Sequence, residues 1–349
     1  MRTSYNEDDV TFLLKDITGL VTPLPAGERE RLIQSGKHYC EMLPLEYVPS
    51  ESYMEAYQEA LKAFARPMAR AVGVLSDKIM KARGESVVLV SLARAGTPVG
   101  ILIRHYLLWK YHVNVPHYSI SIIRGRGIDD CAMQHLLKKY DPGQLLFVDG
   151  WIGKGAIWNE LKKALGAYEG VSGEIAVVAD PANITKLCGT HEDILIPSSC
   201  LNSTVSGLVS RTFLRDDIIK EGDFHGAAYY GELKDSDLSY DFIQKIEQEF
   251  SKNEIPDVYR IQGKGMEEVQ KLSRVFGIED INFIKPGIGE ATRVLLRRVP
   301  WKVLVDERHL HDPALEHLLR LAKEKEVPVD TYPLCHYKCV GIIRKVADV

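Results

Sequence analysis

The chain has 349 residues, 45% of them hydrophobic and 26% charged, with a formal net charge of −4. This length allows two or three domains, the composition excludes a disordered chain, and the slight negative charge excludes a protein built around a broad cationic nucleic-acid surface. The acidic start "MRTSYNEDDVTFLLKDITGL" is unlike a secretory signal, and no apolar run reaches the roughly 20 residues that span a bilayer, so a cytoplasmic protein without a membrane partner is expected.

In chain order, residues 53–82 show helical spacing of apolar positions, interrupted at Pro67. The β-branched run "SVVLVSL" (86–92) suits a buried parallel strand, and "TPVGILIRHYLLWKYH" reads as a helix with Pro98 near its first turn. A strand "HYSISII", a polar glycine loop "RGRGIDD" (124–130) and a helix "CAMQHLLKKY" follow. The strand "QLLFVD", the helix "AIWNELKKAL" and the strand "EIAVVAD" complete the series. Residues 201–257 are polar and irregular, ending in the helical "DFIQKIEQEFSKNEIPD" and a linker near Pro256. Beyond it, "GMEEVQKLSRVFG", "GEATRVLLRRV" and "PALEHLLRLAKEKEV" read as helices, alternating with strands "WKVLVDE", "VDTYPL" and "CVGIIRKV". The fold class expected is α/β: a parallel sheet flanked by helices over 1–257, with its core at about 86–200 and hood elements from 30–85 and 201–257, then a small α/β domain over 258–349.

Ligand sites of such sheets lie beyond the carboxyl ends of the strands, which places "ARAG", "RGRGIDD" and "GWIGKGA" on one rim. Asp149 ends a buried strand, where its carboxylate suits the two hydroxyls of a ribose. The loop after it, Gly150, Trp151, Ile152, Gly153, Lys154, Gly155 and Ala156, turns backbone amides inward at a helix start, an arrangement that favours a phosphate dianion. Ala93, Arg94, Ala95 and Gly96 suit a polyphosphate, and Arg124 and Arg126 suit a charged leaving group. A tight glycine turn and solvated loop arginines explain the same residues without a ligand. Neither G-x-x-x-x-G-K-[ST] nor G-x-G-x-x-G is present, which excludes the common nucleotide-binding loops.

The order of these three loops resembles the type I phosphoribosyltransferases over about 86–180. More narrowly, it resembles the phosphoribosyltransferase-related proteins encoded with tellurium-resistance stress genes, some of which carry a cysteine-protease label. The resemblance implies Mg2+-dependent binding of phosphoribosyl pyrophosphate, with no protein ligand assigned to the metal, and transfer of ribose 5-phosphate to or from a nucleobase-like acceptor. Asp149, Arg124 and Arg126 would be catalytic, and His38, Tyr39, Glu41 and Asp180 would contact the base. Gly150 stands where that family has a second acid. A homodimer is compatible with the pattern.

Two other classes remain open. Cys200, with His191 upstream and His225 downstream, suits a cysteine hydrolase. A non-catalytic nucleotide- or RNA-binding stress protein is the other. The six cysteines lack a framework spacing, so reduced thiols are expected, and Cys335 with Cys339 around His336 is a weak zinc pattern. Residues 285–349 carry 12 Lys or Arg against 9 Asp or Glu. "KPGIGEATRVLLRRVPWKVLVDE" with "ALEHLLRLAKEKEVPVDTYPL" resembles the Pelota-type RNA-binding domain. That implies structured RNA as a partner, met at Lys285, Gly289, Glu290, Thr292, Arg293 and Arg297, with glycine at 289 where relatives carry asparagine.

Overall fold

A computed structural model describes residues 1–256 and 263–345. The short strand β1 (Thr11–Phe12) is followed by helices α1 (Ala26–Gln34) and α2 (Glu51–Arg83). Helix α2 runs 33 residues without a break at Pro67, where the spacing predicted one. It starts at Ser50, whose hydroxyl accepts from Tyr53 N, and ends at Gly84 with φ 67. Tyr53, Tyr57, Leu61, Met68, Val72, Leu75 and Ile79 recur every three, four or seven residues and are all buried. That continuous apolar stripe outweighs the hydrogen bond the proline removes.

Then come β2 (Val88–Leu92), α3 (Gly96–Tyr111), β3 (His117–Ile120), α4 (Asp130–Leu137), β4 (Leu145–Trp151), α5 (Ala156–Leu165), β5 (Ile175–Ala179) and β6 (Cys188–Thr190). They form a six-stranded parallel sheet in the order β1-β3-β2-β4-β5-β6. Its edge strands β1 and β6, two and three residues long, are too short to carry a periodic signal. Alternate residues face opposite layers: Leu89, Leu146 and Val148 pack with α2 and α3, and Val90, Phe147 and Val177 pack with α4 and α5. The expected strand "HYSISII" ends at Ile120, and Ile122–Ile123 turns into an antiparallel hairpin with Gly127–Ile128.

After α6 (Ser239–Glu247) the C-terminal domain contains α7 (Gly265–Phe276), β7 (Ile284–Pro286), α8 (Ile288–Arg297), β8 (Pro300–Val305), α9 (Glu316–Glu324), β9 (Val329–Thr331) and β10 (Cys339–Ile343). Its sheet runs β7-β10-β8-β9, with only the β8–β9 pair parallel. Ala291 and Leu295 of α8 and Leu318 of α9 share one apolar cluster with α2 and the parallel sheet, so this domain is packed onto the first. The boundary expected at 257/258 lies outside the described residues. Among the described residues, no helix is long and apolar enough to cross a membrane.

Candidate functional site

A cavity of about 330 Å3 opens beyond the carboxyl ends of the parallel strands. Ala93–Ala95, Arg124, Asp149 and residues 151–156 line it, so the three rim loops meet as the topology requires. Several of their polar groups are engaged within the protein, however. Arg94 is buried; its guanidinium donates to Glu46 and to the Val209 carbonyl, both at 2.7 Å. Gly96 is a packing glycine, since a Cβ there would lie 2.3 Å from the Val148 carbonyl oxygen. Ile152 N donates to Ala179 O within the sheet, and Gly150 N donates to Asp149 Oδ1 at 2.7 Å. Burial lifts the Asp149 carboxyl to about 6, against the opposing pull of that amide and Arg293.

The loop assigned in sequence to a sugar phosphate also contacts the C-terminal domain. Lys154 Nζ donates to the carbonyls of Ile281 and Ile284, and the Tyr337 hydroxyl donates to Gly153 O at 2.6 Å. Burial, reinforced by Lys285, brings the Lys154 ammonium down to about 7. The residues assigned to RNA also turn inward. Lys285, Glu290, Arg293 and Arg297 line the cavity, and Gly289 abuts Trp151, where a Cβ would come 2.6 Å from the ring. Thr292 is buried, donating to Ile288 O and meeting His317 Nε2. An RNA reaching these residues has to enter the cleft between the domains.

Of the four base-contact candidates, Tyr39 lines the cavity, while His38 and Glu41 are not part of its lining. Arg126 pairs with Glu41 at 3.1 Å on the outside of the hairpin. Asp180 lies elsewhere, after β5, accepting from Ile184 N and Thr185 N at 2.6 and 2.7 Å.

Two cysteines face a histidine. Cys40 Sγ lies 2.9 Å from His38 Nδ1, while His38 Nε2 meets the Arg124 carbonyl at 3.1 Å. A carbonyl only accepts, so Nε2 carries the proton and Nδ1 offers its lone pair to the thiol. Burial lowers the His38 pKa, and burial raises the Cys40 thiol to about 11 against the pull of Arg126. Cys188 Sγ lies 3.3 Å from His191 Nε2, with Nδ1 3.0 Å from the Asp180 carbonyl and 3.6 Å from its Oδ2. Cys188 is enclosed by the apolar cluster under α5, where burial drives its thiol to about 12.

Cys200, the nucleophile suggested by sequence, is fully buried in the main core, and burial raises its thiol far above the usual range. The histidines expected to serve it are engaged elsewhere: His191 with Cys188, and His225 with Ser121 at 2.8 Å. Cys339 is buried in β10 while Cys335 is exposed, and no group of three or more metal-capable side chains exists among the described residues.

The model of a family described as tellurite-like stress resistance cysteine protease StiP matches residues 3–247, and that of the PELOTA RNA binding domain matches residues 263–345. The chain belongs to the StiP family. It is 37% identical over 365 residues, covering 98% of this chain and 94% of the relative, to "Cysteine protease StiP" of Acinetobacter baylyi (strain ATCC 33305 / BD413 / ADP1). No solved structure matches.

Membership in a family described as cysteine proteases overturns the transferase expectation, and phosphoribosyl pyrophosphate and a nucleobase fall with it as partners. The residues agree: Arg94 and Lys154, assigned to phosphates, are spent on Glu46 and on the C-terminal domain. The link to stress-resistance proteins and the C-terminal Pelota domain stand. Sequence reasoning missed the Cys40–His38 and Cys188–His191 pairs and Arg211 in the cavity wall. The spacing signals were the His38-x-Cys40 and Cys188-x-x-His191 patterns.

Proposed function

We propose that the protein is a cysteine peptidase with Cys40 as nucleophile and His38 as its base. The observation that carries this reading is the 2.9 Å approach of Cys40 Sγ to the unprotonated Nδ1 of an imidazole whose other nitrogen is held by a carbonyl, beside the cavity. A thiol 1% exposed with a neutral histidine is activated by proton transfer during attack, not by standing as a thiolate. Sγ bonds to the scissile carbonyl carbon as its proton passes to His38 Nδ1. That proton then goes to the departing amine, and water hydrolyses the thioester to return the thiol. Membership in the StiP family supports the reaction class.

The Cys188–His191–Asp180 group is the second reading, favoured by the carboxylate behind its imidazole. Its thiol is worse placed: it lies in an apolar cluster, and the Asp180 charge adds to burial in opposing the thiolate. Hydrolysis of a fluorogenic peptide or casein by single variants separates the two. Cys40→Ala is expected to lower kcat/KM by at least about 10³-fold, the order seen when a covalent nucleophile is removed. Cys188→Ser and Cys200→Ser are expected to stay within a few-fold of wild type. Full activity in Cys40→Ala with loss in Cys188→Ser transfers the role to the second group.

A further inference from the structure

We propose that the cleft beside Cys40 selects acidic peptide segments, with Arg211 and Arg124 receiving a substrate carboxylate. This rests on the peptidase reading above.

Eight cationic side chains line the cavity against three acidic ones. Four of the eight are accounted for within the protein. Arg94 pairs with Glu46, Arg298 with Glu30, and Lys285 with Glu290 at 3.8 Å, while Lys154 is held by carbonyls. The other four have neutral partners. Arg124 donates to Asn282 Oδ1 at 2.7 Å and Arg297 to Asn202 Oδ1. Arg211 lies 4.8 Å over the Tyr39 ring, and Arg293 lies 4.2 Å over Trp151. Arg293 Nε is buried with no hydrogen-bond partner among the described residues. Behind this group Arg29 is 2% exposed, with Nε and Nη2 equally unpartnered, and its charge is felt by neighbouring Arg211 and Arg298. Glu290 and Asp149 act on Arg293, and Glu46 on Arg297 and Arg211, only through space, and burying more guanidiniums than carboxylates together is costly unless an anion arrives to satisfy them.

The position of this charge ties it to the reaction. Arg124 and Arg211 both approach the Tyr39 ring, at 6.0 and 4.8 Å, and Tyr39 stands between His38 and Cys40 in the chain. An acidic side chain bound there is held at the residue that adjoins the nucleophile in the chain. Guanidinium groups pair with carboxylates in a planar fork, which gives the selection its geometry. The nearby aromatic faces on which nucleic-acid bases would stack, Tyr39 and Trp151, are already met by Arg211 and Arg293. That favours a peptide over RNA as the occupant.

The test uses full-length Cys40→Ser protein and, in parallel, the wild type. Fluorescence anisotropy follows a short fluorescein-labelled peptide rich in glutamate and its glutamine counterpart at low and high salt. The glutamate peptide is expected to bind at least about tenfold tighter at low salt, with the preference reduced by salt and by Arg211→Gln. Arg124→Gln, checked like Arg211→Gln for native melting, gives a second reading of the same loss. Equal affinity for the two peptides overturns the proposal, as does a preference that survives in both arginine variants. A structured RNA that binds tightly and displaces a weakly held glutamate peptide overturns it in favour of nucleic acid. In turnover, the wild type is expected to show a higher kcat/KM for the acidic peptide, and Arg211→Gln to bring that ratio toward one. Selective binding without cleavage of any peptide refutes the peptidase reading alone, so the two failures are distinguishable.

Discussion

His38 does two things at once. It precedes the short turn Tyr39–Glu41, where its Nδ1 accepts from Cys40 N at 3.4 Å, and the same nitrogen faces Cys40 Sγ. Its lowered pKa keeps it a base at neutral pH, and the thiol, pushed up to about 11, stays protonated. Only the thiolate reacts with an alkylating agent, so below pH 11 the iodoacetamide rate at Cys40, followed by peptide mass spectrometry, is expected to rise about tenfold per pH unit. An ordinary exposed cysteine instead levels off above about pH 8.5. The Arg126 cation favours the thiolate, so Arg126→Gln raises the thiol pKa further and slows alkylation at pH 8. A rate that levels off near pH 8.5 in the wild type contradicts the buried neutral pair.

At the scale of elements, the hairpin of Ile122–Ile123 with Gly127–Ile128 touches the Cys40–His38 pair through the Arg124 carbonyl on His38 Nε2. Its tip contains Gly125 at φ 77 and Gly127 at φ 86, backbone conformations that glycine adopts without strain. Glu160 of α5 accepts from both amides, Gly125 N at 2.7 Å and Gly127 N at 3.0 Å, and this carboxylate holds the tip down. Glu160, outside the cavity, thereby ties the hairpin tip to α5. Glu160→Ala is expected to speed alkylation of Cys40 by several-fold at fixed pH while leaving Cys200, enclosed in the core, unreactive. An unchanged Cys40 rate places the barrier in another element. The hairpin was legible in sequence only as a glycine loop, because Ile122 and Ile123 continue the apolar run of β3 and nothing local marks where the chain leaves the sheet.

For the whole molecule, the decisive contact is α8 laid across the mouth of the parallel sheet. Gly289 permits it: any side chain there meets Trp151 at 2.6 Å. Gly289→Ala is expected to force the two domains apart and cost about 1–3 kcal/mol, as overpacking of a tight contact does, read as a lower melting temperature. The glycine that appeared in sequence as the loss of an RNA-reading asparagine has a packing reason of its own. A native melting temperature in this variant means that Trp151 rotates away and that the domain contact is looser than its geometry implies.

What the sequence determined by itself was the succession of local elements: the buried run 88–92, the alternation of strand and helix, and the second α/β unit after 257. Each follows from apolar periodicity over a few neighbouring residues, which is a local property of the chain. Tertiary structure alone decided which charges are spent and which remain. Arg94 finds Glu46, Lys154 finds Ile284 O, and His38 finds Arg124 O, partners 48, 130 and 86 residues away. Whether an arginine on a rim loop serves a ligand or the fold depends on the nearest unsatisfied oxygen in space. Spacing along the chain does not encode that distance.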